Sequence, residues 1–263
     1  MSKNIQLVLV DCQNDFCDPK GALFVKGADK DCERIAAMIR QHGDKIDDIR
    51  ITLDSHVPLH VAHGVCWQDS KGNNPPPFTF ITKDDVVSGK YRATNPTWQK
   101  RYSDYVRSLS AGGMVIWPQH CLISTWGHGL YPCVIDAVNE WQNKYFAVAD
   151  FVTKGSNIFS EHFGAVAAEV PDPADPTTNI NTTFVKRLED ADVLLICGEA
   201  LSHCVATTVR QIIAEFGVQH AKKFVILEDA VSPVPGFENL ADDFVKEVKA
   251  QGVQFAKTTT FFK

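Results

Sequence analysis

The chain has 263 residues, 44% of them hydrophobic, enough to bury the core of one large α/β domain spanning 1–263. A net charge of -6 speaks against the basic patch of a nucleic-acid binder, and no run of 18 apolar residues offers a membrane-spanning helix. The opening Met1-Ser2-Lys3-Asn4-Ile5 lacks an apolar leader and the eight cysteines lie scattered with no CxxC pair, so the expectation is a cytoplasmic protein with reduced thiols.

In chain order, strand patterns at Ile5–Val10 and Asp48–Leu53 flank a helical pattern at Asp31–His42. A long insertion follows at about 57–121, holding Asn73-Asn74-Pro75-Pro76-Pro77 and two aromatic helical turns around Trp98–Leu109. A helix over Tyr131–Gln142 then precedes a strand over Tyr145–Phe151. The stretch Val170–Asn181, rich in Pro, Asp and Thr, reads as a loop. The apolar run Val193–Cys197 reads as a buried parallel strand, followed by a helix at His203–Phe216 and a strand at Phe224–Leu227. A last helix at Asn239–Gln251, with Leu240, Phe244, Val245 and Val248 on its apolar face, leads into a weak strand at Val253–Ala256. This alternation predicts a single-domain, Rossmann-like three-layer α/β/α fold around a six-stranded, mainly parallel sheet. Ligands are then expected at the carboxyl ends of the strands.

Residues just beyond those strand ends should converge on one edge. They are Asp11, then Asp54-Ser55-His56, then Lys154, then the loop Gly198–Val205 with Cys204. A thiol between a strand and a helix lies near free N–H groups and the positive end of the helix dipole, which favour a thiolate. Each residue also has a plainer reading. Free cysteine is often inert core, and Cys197 is read that way. Aspartate often closes a strand, a role that suits Asp15 with Gln13 and Asn14; a lysine is usually solvated. Asp54 and His56, two apart at a strand end, can both face one point beyond it.

Five ordered motifs carry a resemblance. Asp11-Cys12-Gln13-Asn14-Asp15-Phe16 is similar to the D-x-Q-N-D-F opening of the nicotinamidase family within the isochorismatase-like cysteine hydrolases. Asp54-Ser55-His56, Trp117-Pro118-Gln119-His120-Cys121, Lys154-Gly155 and Gly198–Val205 follow in the family's order, so the resemblance covers about residues 5 to 235. It implies a triad in which Cys204 attacks, Asp11 shuttles the proton and Lys154 orients Asp11. It further implies an oxyanion hole from the N–H groups of Ala200 and Cys204, a cis peptide between Glu199 and Ala200, and a substrate ring held by Phe16 and Trp117. The implied metal ligands are Asp54, His56 and His120. His60 is preferred over His63 as a fourth, because it fits the H-x-x-x-H spacing of some members. The expected cofactor is a divalent metal, zinc first, with iron or manganese also suited to the ligands.

The implied activity is metal-dependent hydrolysis of nicotinamide, or a similar heteroaryl carboxamide, through a thioester on Cys204. The alternative is a cysteine hydrolase of the same superfamily acting on another small amide or an N-carbamoyl compound. A third reading is a non-catalytic member that binds a ligand or partner. The expected partner is a small-molecule amide, with no nucleic acid or membrane, in a homo-oligomer. Glu199 departs from the small or aliphatic residue usual at its position, so it is expected either to touch the substrate or to point away and pair with a cation. The insertion is longer than in compact members, and is expected to reshape the pocket mouth or build an oligomer contact.

Overall fold

Six strands form one sheet: β1 Ile5–Val10, β2 Asp48–Asp54, β3 Asp150–Lys154, β4 Val193–Glu199, β5 Phe224–Ser232 and β6 Gln254–Ala256. Their spatial order is β6-β5-β4-β1-β2-β3, and every neighbouring pair is parallel. The computed structural model describes residues 3–263; Met1 and Ser2, the first residues of the opening expected to lack an apolar leader, lie outside them. No helix among the described residues is long and apolar enough to cross a membrane.

Both faces of the central strands are covered, which is why they read as continuous apolar runs. Leu7, Leu9, Ile49, Ile51, Leu195 and Cys197 pack under α1 (Ala28–His42) and α2 (Pro132–Tyr145). Val8, Val10, Leu194 and Ile196 pack on the other face. There they meet α3 (Thr182–Glu189), α4 (Ala206–Phe216) and α5 (Glu238–Gln251). The result is the expected α/β/α sandwich.

Several boundaries differ from expectation. The strand read at Tyr145–Phe151 starts only at Asp150, because α2 runs on through Tyr145, whose ring lies near that of Trp141 one turn earlier. Phe146 then adopts a left-handed φ of 52°, and both it and Val148 are exposed, while Ala149 joins the core. Lys154 is consequently the last residue of β3 rather than the loop after it. In α5, Ala241 takes the buried place expected of Leu240, which is exposed, whereas Phe244 and Val248 are buried as read. Helix α3 went unread although its signals are present: Asn181 accepts the Phe184 N–H as an N-cap, and Phe184, Val185 and Leu188 share one buried face.

Much of the insertion is built into the core. Trp67 and Tyr102 are fully buried with ring centroids 5.2 Å apart, and they join the cluster under α1 and α2. The aromatic turns form a short 3₁₀ segment, Pro96–Trp98, running into a helix at Gln99–Ser108. Two small antiparallel strand pairs stiffen the rest. A backbone bond from the Trp117 N–H to Ala62 O, 2.8 Å, ties the two ends of the insertion together.

The strand order reverses between β1 and β4, and in such sheets the crevice at that reversal is where ligands bind. Gly198 makes the close approach of these strands possible. Its φ is +111°, and a Cβ there would lie 2.0 Å from Val10 O. Gly198→Ala is therefore expected to cost about 4 kcal/mol or more. Denaturant unfolding checks this, and a variant within about 1 kcal/mol of the parent would contradict it.

Candidate active site

Asp11 and Cys204 enter the crevice from either side of the reversal, following β1 and β4, and Lys154 reaches in from the end of β3. The Lys154 Nζ lies 2.8 Å from Asp11 Oδ2, 3.6 Å from Cys204 Sγ and 3.3 Å from Asp54 Oδ1, and it also donates to His162 O at 3.1 Å. Thr52 fixes the other side of Asp11: its hydroxyl donates to Oδ1, and its carbonyl and hydroxyl oxygens both accept the Asp11 N–H. Asp11, Lys154 and Cys204 are all buried.

Burial raises the Asp11 carboxyl, against the pull of Lys154. Burial alone would lower Lys154, but Asp11 and Asp54 outweigh it and hold the ammonium well above its ordinary range. Cys204 departs from the sequence expectation. It sits in a single π-helical turn, Leu201–Val205, rather than on the exposed first turn of a helix. Burial pushes its thiol well above the usual value, with Lys154 opposing and Asp11 adding to the rise. The arrangement is thus a thiol and a carboxylate gathered around one fixed ammonium.

Beyond the triad, Asp54 Oδ2 lies 3.0 Å from His56 Nε2 and 3.2 Å from His120 Nε2. Gln13 holds the Asp54 backbone from both sides, donating to its carbonyl and accepting from its N–H, each at 2.7 Å. Gly155 lets the strand end pass this close: at φ +84°, a Cβ would stand 2.7 Å from Asp54 Oδ1 and 3.0 Å from the His56 ring. Burial would raise Asp54, but His56 and Lys154 keep it well below its ordinary value. Burial would likewise lower His56, and Asp54 instead lifts it to about 9. Such mutual stabilisation marks a site organised to hold positive charge against Asp54.

Backbone partners decide which histidine nitrogens are free. His56 Nδ1 meets Gly155 O at 2.9 Å, His120 Nδ1 meets Pro118 O at 2.7 Å, and His63 Nδ1 meets Pro58 O at 3.0 Å. Each carbonyl accepts the Nδ1 proton, so Nε2 is the nitrogen left to serve as a metal ligand. His63 Nε2 is buried with no hydrogen-bond partner. His60 is the opposite case: its Nδ1 accepts the Ala62 N–H, so the proton sits on Nε2, which faces Ser160 O at 3.3 Å. Asp54, His56 and His120 form one group of donors able to hold an ion, while His60 groups instead with His56 and Glu161. His60 thus lies beside Glu161 rather than beside Asp54.

A narrow pocket opens onto Cys204 and Ala200, walled by Phe16, Trp117 and Phe163. The Phe16 ring stands edge-on to His120 at 5.3 Å, and Trp117 edge-on to His203 at 5.2 Å. Sequence reasoning missed Glu161, Phe163 and His203 as lining residues. The signal for the first two was Ser160-Glu161-His162-Phe163-Gly164, a polar–aromatic cluster soon after the strand that ends in Lys154. Asp15 takes the bland role: it accepts the N–H groups of Ala22 and Cys121, at 2.9 and 2.6 Å.

The peptide between Glu199 and Ala200 is cis. Ala200 O accepts the N–H groups of His203 and Val205 at 3.0 and 3.1 Å, which curls the loop tightly around Cys204. Glu199 lies on the face of β4 shared with Leu195 and Cys197, and so turns toward α1 and away from the pocket. It is fully buried, and its partners are Ser232 and Asp31 rather than the expected cation.

No protein-family model matches the chain. A curated relative, the nicotinamidase of Saccharomyces cerevisiae, is 25% identical over 249 residues, covering 94% of this chain and 96% of that one. Solved structures share the fold. The yeast nicotinamidase bound to nicotinaldehyde aligns with a TM-score of 0.66 at 20% identity, covering 96% of this chain and 99% of the other. A nicotinamidase/pyrazinamidase of Acinetobacter baumannii gives 0.63 at 22%, covering 98% and 97%. The pyrazinamidase of Pyrococcus horikoshii in complex with zinc gives 0.55 at 19%, covering 97% and 99%. With five motifs in the family's order and a full-length relative of that family, this chain is similar throughout to the nicotinamidases of the isochorismatase-like hydrolases.

Proposed function

We propose that the protein is a metal-dependent amidase that hydrolyses nicotinamide to nicotinate and ammonia through a thioester on Cys204. The observation that carries this reading is the meeting of Cys204 Sγ, Lys154 Nζ and Asp11 Oδ2 directly beside the donors of Asp54, His56 and His120.

In this reading Cys204 passes its proton to Asp11 as the sulfur adds to the amide carbonyl carbon. The negative charge that develops on oxygen falls to the backbone N–H groups of Ala200 and Cys204, fixed donors of the kind that usually supply the largest catalytic term. Asp11 returns the proton to the amide nitrogen, the C–N bond breaks and ammonia leaves. Water then attacks the thioester, giving its proton to Asp11, and the acid departs as the thiol re-forms. Lys154 stays charged throughout and holds Asp11 in line. Phe16 and Trp117 sandwich the pyridine ring.

A divalent ion fits the donor set of one carboxylate and two imidazoles that offer Nε2, with the orphaned Nε2 of His63 near His120. Asp54, His56, His120 and His63 would hold it, and it would supply a Lewis-acid position for a pyridine nitrogen or water. Zinc suits this set best, with iron(II) and manganese as the competitors. His63→Ala is expected to weaken metal retention by about tenfold or more, and His60→Ala to leave it within about threefold. Metal analysis after graded chelation checks this; the reverse order would restore His60 as the ligand.

Substrate comparison tests the reading as a whole. Nicotinamide should exceed benzamide in kcat/KM by at least about 100-fold, because benzamide lacks the ring nitrogen, and it should exceed N-carbamoyl compounds. Equal rates on benzamide would remove the role given to the ring nitrogen. Preference for an N-carbamoyl compound would move the chain to the other branch of the superfamily. Alkylation of Cys204 no faster than free cysteine, with no turnover of any amide, would favour a binding protein.

A further inference from the structure

Glu199 is the one carboxylate in the oxyanion loop, and the reaction above gives it no task. It ends β4 immediately before the cis peptide to Ala200, and it is fully buried. Its Oε2 accepts the Ser232 N–H at 3.2 Å, while Oε1 meets no donor. Asp31, in the first turn of α1, meets the same serine, whose hydroxyl donates to its Oδ2 at 2.5 Å. Asp31 Oδ1 in turn accepts from Arg34 at 2.6 Å.

Two carboxyl groups bonded to one serine in a dry site oppose each other's ionisation, which favours a proton on one of them. Arg34 pairs with Asp31, whereas Glu199 Oε1 meets no donor, so the proton belongs on Glu199. Burial, and then Asp31, hold the Glu199 carboxyl well above its ordinary range. The orphaned Oε1 is then accounted for as the protonated oxygen.

The same short stretch grips the loop a second time. Two residues beyond Ser232, the Val234 N–H donates to Ser202 Oγ at 3.0 Å, and Val234 also lines the pocket. Residues 232–234 thus hold the loop at Glu199 and at Ser202, on either side of Ala200. Resting on the amidase reading, we propose that Glu199 is a positioning residue whose carboxyl group, holding its proton beside Asp31 and accepting from Ser232, anchors the turn that aims the Ala200 N–H at the substrate carbonyl.

Glutamine keeps the shape, a donor beside Asp31 and the acceptor for Ser232; alanine removes all three. Glu199→Ala is expected to lower kcat on nicotinamide by about 10- to 100-fold with KM within about threefold, and Glu199→Gln to recover to within about threefold of the parent. The rate of Cys204 alkylation by iodoacetamide uses no oxyanion donor and should be unchanged in both variants. Unchanged kcat in Glu199→Ala, Gln as impaired as Ala, or alkylation falling in step with kcat would overturn the proposal.

A stability comparison reads the protonated pair without any substrate. Glu199 is ionised in the unfolded chain above its ordinary value but holds its proton in the fold, so parental stability falls as pH rises. The groups facing Glu199 are Asp31, with Arg34 behind it, and the thiols of Cys12, Cys17, Cys32 and Cys197. All four thiols are held up in value and stay neutral across that range. The melting temperature of Glu199→Gln should therefore gain on the parent steadily from about pH 6 to 9. A constant difference would overturn the proton on Glu199, and with it the anchor, even if nicotinamide proved to be the wrong substrate.

Discussion

Cys204→Ala is expected to reduce ammonia release from nicotinamide by about four orders of magnitude or more, since removal of a covalent nucleophile leaves only binding and oxyanion contributions. The substitution deletes one buried sulfur and leaves the ion pair of Asp11 and Lys154 intact, so the fold and the metal content should persist. Circular dichroism and metal analysis on the same preparation separate lost chemistry from lost structure. A variant that kept activity within about tenfold of the parent would show that the thiol is not the nucleophile. Water activated elsewhere in the site would then have to perform the hydrolysis directly.

Lys154→Met should have a large effect on stability. The lysine is buried, with its ammonium 2.8 Å from Asp11 and 3.3 Å from Asp54, and methionine fills similar space without the charge. Breaking one side of a buried ion pair leaves an uncompensated charge and costs about 3–5 kcal/mol. In a chain of this size that lowers the melting temperature by roughly 10 °C. The pH dependence has a definite sign. Asp11 is already raised by burial, and without Lys154 it rises further, so its proton stabilises the fold at low pH and is lost as pH rises. The deficit should therefore be smallest near about pH 5 and grow toward neutrality. Thermal unfolding across that range checks it. A variant as stable as the parent at neutral pH would mean that the lysine neutralises no buried charge there.

Much of this site was legible because a parallel sheet sends its strand ends to one edge. Asp11, Asp54 with His56, and Cys204 could be placed from apolar runs alone, and the structure brings them together at the strand reversal. Lys154 was legible only through the family's motif order, since its strand was read several residues early from a run whose Phe146 and Val148 prove exposed. The choice between His60 and His63 was out of reach. It depends on whether a backbone carbonyl or an N–H meets Nδ1, and spacing along the chain carries no such information. The direction of Glu199 could have been read: strand alternation puts it with Leu195 and Cys197, facing α1. What could not be read was its partner, because Asp31 lies 168 residues away in sequence (199 − 31) and in a helix begun by a glycine rather than by a motif.

The covalent step is the centre of this account, and it can be observed directly. Enzyme turning over nicotinamide can be quenched in acid within its first cycles and digested, and the peptide containing Cys204 weighed. A nicotinoyl adduct on that peptide, formed no more slowly than ammonia is released and absent in Asp11→Asn, is the predicted result. Ammonia released at the full rate with Cys204 unmodified at every time point would contradict the account at its root.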